Sequence, residues 1–90
     1  MAEISETFII QNKLGLHARA AALLVKTCAQ FSSEVSICAR KQNVNGKSIM
    51  GVLMLAASQG TKIKVTVTGK DAEDCLSAIS KLIGNKFGEE

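Results

Sequence analysis

The stretch "TKIKVTVTG", residues 61–69, alternates Ile63, Val65 and Val67 with Lys62, Lys64, Thr66 and Thr68. A period of two built on β-branched residues predicts a strand with one face on a core and the other in water. Gly69 ends it. "SEVSICA", residues 33–39, repeats the pattern with Val35, Ile37 and Ala39 on one face. "TFIIQN", residues 7–12, reads as a further strand, with a turn over Asn12 to Gly15. A short fourth strand and turn are expected near Asn43 to Gly46.

Between these strands the period changes. Ala21, Leu24, Val25 and Cys28 fall on one helical face, and Ala72, Cys75, Leu76, Ile79, Leu82 and Ile83 recur at spacings of three and four. Asp71 is placed to cap the second series, Asp74 suits its first turn, and Gly84 suits its stop. "SIMGVLML", residues 48–55, opens with Ser48, a good N-cap residue, and predicts a short helix, although Gly51 weakens it. The order strand, helix, strand, strand, short helix, strand, helix, with one apolar face per strand, predicts one layer of helices on one face of an antiparallel sheet. The fold class is therefore α+β, an open-faced β-sandwich of four antiparallel strands and three helices. Residues 1–90 are read as one domain, and "GNKFGEE", residues 84–90, as a frayed end.

Composition narrows the function. A net charge of +3 without a basic block, and only three aromatics (Phe8, Phe31, Phe87), argue against nucleic acid. Cys28, Cys38 and Cys75 are odd in number and never form CxxC, so they predict neither a disulfide framework nor a metal site. No signal peptide and no apolar run of membrane-spanning length is visible, which leads to the expectation of a cytoplasmic protein. Walker A, GxGxxG and GxSxG are absent, so no nucleotide cofactor and no serine hydrolase chemistry is expected.

The one histidine, His17, stands just before the first helix in "GLHAR", residues 15–19. If that helix starts at Ala18, its first backbone N–H groups lack helical acceptors and face His17. A helix start favours anions, and the guanidinium of Arg19 suits phosphate oxygens. Like charge disfavours an imidazolium there, which leaves a neutral, nucleophilic ring. These parts are compatible with a phosphohistidine. A lone histidine at a helix start is also compatible with a plain cap, so the spacing by itself leaves both readings open.

The two stretches "GLHAR" and "KSIMGVLML", in this order and at this spacing, closely resemble the HPr family, the histidine-containing phosphocarriers of the bacterial phosphoenolpyruvate-dependent phosphotransferase system. The resemblance runs from about Phe8 to Ile83. It implies an open-faced sandwich of four strands and three helices, in agreement with the pattern. It implies a carrier rather than an enzyme, with no cofactor or metal. His17 would accept a phosphoryl group on Nδ1 from enzyme I and pass it to an EIIA-type acceptor protein. Arg19 would pair with the phosphoryl oxygens, and the backbone N–H groups of Ala18 and Arg19 would hold them. Ser48 matches a serine phosphorylated by an HPr kinase/phosphorylase in many members. Ala22, Lys26, Ile49, Met50 and Leu53 would belong to the partner-docking surface, since the apolar residues after Ser48 are too many for one helix face. The chain departs from the usual His-Ala-Arg-Pro by carrying Ala20. Proline in a first helical turn presets φ and removes an N–H that lacks a partner anyway, so alanine there costs about 0.5 to 1 kcal/mol. A monomer is expected. The competing reading is a regulatory protein-binding module governed by the phosphorylation of Ser48 and His17.

Overall fold

The computed structural model describes residues 2–89. In chain order they form β1 (Glu3–Ile9), α1 (Ala18–Ala29), β2 (Glu34–Ala39), β3 (Gln42–Asn45), α2 (Ile49–Leu55), β4 (Lys62–Thr68) and α3 (Ala72–Gly84), followed by a 3-10 turn, Lys86–Gly88. The four strands make one sheet in the order β1-β4-β2-β3, with every neighbouring pair antiparallel. Three helices cover one face. The open-faced sandwich expected from the sequence is the fold.

The alternating strands behave as their pattern requires. Ile63, Val65 and Val67 of β4 and Val35, Ile37 and Ala39 of β2 are buried under the helices, while Lys62, Lys64 and Glu34 are exposed. Ala21, Leu24 and Cys28 of α1 and Ala72, Cys75, Leu76, Ile79 and Ile83 of α3 meet them from above. Val25 and Leu82 are half-buried at the margin of that core. All three cysteines are free. Burial pushes the Cys28 thiol up to about 12 and raises that of Cys75, so both act as small apolar residues.

Three local expectations are corrected. The first strand starts at Glu3 rather than Thr7 and ends at Ile9 rather than Asn12. Its full register against β4, from Glu3↔Thr68 to Ile9↔Lys62, decides this. The exposed Glu3 and Glu6 hid the pattern in the sequence. Asp71 occupies the position before α3, but its side chain makes no cap bond. Its carboxylate instead accepts from the backbone N–H groups of Ser32 (2.9 Å) and Ser33 (3.0 Å) and from the Ser33 hydroxyl, tying the start of α3 to the loop before β2. The closing segment is not frayed over its described part: Phe87 is 1 % exposed and belongs to the core. Burying a side chain of that size stabilises by about 2 to 3 kcal/mol.

One connection had no turn signature. β2 and β3 join through Arg40 and Lys41, both at positive φ (48° and 68°), as a two-residue hairpin that matches the strand twist requires. The Arg40 guanidinium donates to the carbonyls of Leu55 and Ala56, holding the hairpin to the end of α2.

Candidate functional site

The site begins with a turn. Gly15 has φ +67°, and a Cβ there would lie 2.4 Å from the carbonyl oxygen of Ala57. Only glycine fits both constraints. The turn closes through Gly15 N–H to the Asn12 carbonyl (3.1 Å), and Leu16 N–H donates to the Ala57 carbonyl at 2.8 Å. Leu16 is 4 % exposed. The next residue, His17, is thus delivered to the start of α1 by a segment anchored on both sides.

His17 is the N-cap of α1. Its Nδ1 accepts from the backbone N–H of Arg19 at 3.3 Å. The first N–H to reach a helical carbonyl is that of Ala21, bonded to His17 O at 2.8 Å. Those of Ala18 and Ala20 have no helical acceptor and add to the positive end of the helix. Ala18 and Arg19 are exposed, and the Arg19 guanidinium makes no hydrogen bond among the described residues. Ala20 is buried within this first turn. The imidazole and the helix start that the sequence reading joined therefore meet in space through the Arg19 N–H, and the Arg19 side chain is exposed in the same turn.

Two residues that reading missed complete the arrangement. Glu89 Oε2 lies 2.5 Å from His17 Nε2. Glu89 Oε1 accepts from Asn12 Nδ2 at 3.0 Å, and the same Nδ2 donates to the Gly15 carbonyl at 2.8 Å. Asn12 is fully buried and opens the expected turn over Asn12 to Gly15, below the histidine. The hydrogen bond from His17, then that from Asn12, holds the Glu89 carboxyl below its usual range, with the charges of His17 and Arg19 adding to the effect. The imidazole thus faces a carboxylate as well as positive charge, whereas the sequence reading weighed positive charge alone. Nothing local to His17 announces Glu89. The available signal was Phe87, a large apolar residue just past the helix stop, whose burial brings Glu89 back to the site.

The second candidate, Ser48, is the N-cap of α2. Its Oγ accepts from Gly51 N–H at 3.1 Å, and the hydroxyl is half-buried. Around it Ile49 (46 % exposed), Met50 (70 %) and Met54 (72 %) are open, as is Leu14 (70 %) in the turn before His17. Ala22 and Lys26 are exposed on α1, while Leu53 is half-buried and packs against the core. Leu14 and Met54 were not singled out from the sequence. The described residues contain no cluster of three or more His, Cys, Asp or Glu able to hold a metal, and no helix long and apolar enough to cross a membrane.

Comparison with known proteins agrees with this architecture. Residues 4–85 match the family model described as the PTS HPr component phosphorylation site. The phosphocarrier protein HPr of Xylella fastidiosa (strain 9a5c) is 47 % identical over 87 residues, 97 % of this chain and 98 % of that protein. The phosphocarrier protein HPr of Neisseria meningitidis (serogroup A, strain Z2491) is 45 % identical over 86 residues, 96 % of this chain and 97 % of its own. The crystal structure of HPr-C-His from Thermoanaerobacter tengcongensis superposes with a TM-score of 0.92 at 47 % identity, covering 100 % of this chain and 99 % of that one.

Proposed function

The chain belongs to the HPr family of phosphotransferase-system carriers, and from that premise we propose that His17 accepts a phosphoryl group on Nδ1 from phosphorylated enzyme I and passes it to an EIIA-type acceptor. The observation that carries this reading is the direction of Nδ1. It points at the N–H end of α1, in the turn that carries the exposed Arg19. A phosphoryl group on Nδ1 would replace a weak neutral acceptor with a charged one in a place where unpaired donors and the helix dipole favour it. Arg19 would neutralise the oxygens as they arrive. Such a carrier releases no free product and acts between two protein partners in the cytoplasm, which suits a monomer whose histidine is half-buried, with part of its ring open to solvent.

The docking surface in this reading is the strip around the histidine: Ala22 and Lys26 of α1 with Ile49, Met50 and Leu53 of α2. The exposed Ile49 and Met50, with the half-buried Leu53 beneath them, fit a transient protein interface, and Lys26 would draw acidic partners. Ser48 is the proposed regulatory phosphorylation site for an HPr kinase/phosphorylase. Its capping hydroxyl offers a helix start at which an added phosphate is tolerated, in the middle of the surface that partners would cover. Regulation through Ser48 and carriage through His17 are compatible in one chain.

Incubation with phosphoenolpyruvate and enzyme I, read by intact mass spectrometry, tests the carrier reading. One acid-labile, base-stable phosphate is expected on the protein and none on His17→Ala. A wild-type chain that stays unlabelled while another family member is labelled in the same tube would refute it.

A further inference from the structure

We propose that Met50 and Met54 form a reversible oxidation site: peroxide converts their thioethers to sulfoxides and so weakens docking at the surface beside Ser48. The docking half of this inference rests on the carrier function proposed above.

Met50 and Met54 sit four residues apart on α2, a spacing that puts both side chains on one helix face. They are 70 % and 72 % exposed. Val52 and Leu55, elsewhere on the same helix, are buried and anchor it to the core. Neither methionine belongs to that core, so the fold does not need a thioether at either position. A flexible, polarizable side chain suits a surface that must meet two partners in turn. The same sulfur is open to oxidation.

The cysteines do not offer the oxidant a better target on this surface. Cys28 and Cys75 are buried, and with their thiols pushed up they hold little thiolate. Cys38 stands between the buried Ile37 and Ala39, so it faces the side of the sheet away from the helices.

The step is a two-electron oxygen transfer. A sulfur lone pair attacks one oxygen of hydrogen peroxide, and an S–O bond forms as the O–O bond breaks. The attacked oxygen gives up its proton to the departing one, which leaves as water. Sulfur is oxidised and the peroxide is reduced. A sulfoxide reductase with a dithiol donor reverses the change: two thiols become a disulfide and the oxygen leaves as water. Each sulfoxide sets a strong acceptor where a docking partner excludes water, and an acceptor buried without a donor opposes binding.

Peroxide treatment of the whole protein tests this. Trypsin releases the peptide from Ser48 to Lys62, which contains Met50, Met54 and no cysteine. Mass spectrometry should find one added oxygen on each methionine while the far-UV spectrum is unchanged. With phosphoenolpyruvate and enzyme I, the KM for the treated protein should rise by about tenfold or more at constant kcat. Methionine sulfoxide reductases A and B should reverse the rise. In Met50→Leu/Met54→Leu, compared before and after treatment with itself, peroxide should no longer move KM. A peptide left unoxidised while the protein stays folded overturns the proposal. So does an unmoved KM in fully oxidised wild type, or an equal rise in the leucine variant. Untreated protein that takes no phosphate sinks the carrier function instead, and the peptide map still decides the oxidation site.

Discussion

Two helices of this molecule start on a side chain that can bear phosphate, and they are built differently. At the start of α1, His17 Nδ1 caps at 3.3 Å, backed by Glu89, Asn12 and a turn that only Gly15 can make. At the start of α2, Ser48 Oγ caps at 3.1 Å and has no further side-chain partner among the described residues. A group that must react by itself needs its proton, orientation and counter-charges arranged by the fold. A group modified by another protein needs only to be reachable, because the visiting active site brings the chemistry. The difference between the two starts mirrors the difference between the two proposed roles.

The contrast is most severely tested by Phe87→Ala. Removing this core side chain should cost about 3 kcal/mol in urea unfolding. It should also free Glu89, so that the nitrogen-15 signals of the His17 ring shift. A large loss of stability with unmoved ring signals would mean that the two starts differ less than their geometry indicates. A smaller effect is expected at the other start. Ser48→Ala should cost about 1 kcal/mol through the lost cap and leave phosphoryl acceptance at His17 unchanged. A matching loss of acceptance would show that the two starts are coupled.

The third helix start gives the mildest test. Asp71 is held below its ordinary value, first by the Ser33 hydroxyl and then by the Ser32 N–H. A carboxyl depressed in the folded state stabilises above its unfolded value and loses that contribution as pH falls through the folded one. Wild type should therefore exceed Asp71→Asn in stability above about pH 4, and the two unfolding midpoints should converge as acid protonates the carboxyl in the folded state. Persistence of the gap in acid would assign the effect to geometry rather than charge.

Much of this was legible in the sequence because it rests on period and local order. The alternation in residues 61–69, the three-four spacing of α3 and the single His17 with Arg19 are short-range signals, and the structure keeps them together. What escaped was long-range or two-faced. β1 looked shorter because Glu6 interrupts an edge strand whose length is set by its partner β4. Asp71 looked like a cap because its position is right, yet two serines from a distant loop compete successfully for its oxygens. The hairpin at Arg40 and Lys41 has no glycine or asparagine to mark its positive φ. Glu89 lies 72 residues from His17, and no local pattern links them.

That separation also orders events during synthesis. A ribosome adding about 5 to 20 residues per second makes Glu89 roughly 4 to 14 s after His17. β1 likewise waits for β4 before it has a neighbour to pair with. The nascent chain can form α1 early, but the histidine at its start lacks its carboxylate until Glu89, 72 residues further on, has been made. In the proposed carrier role, a ribosome-bound fragment carrying "GLHAR" without Glu89 should be a poor competitor for the donor.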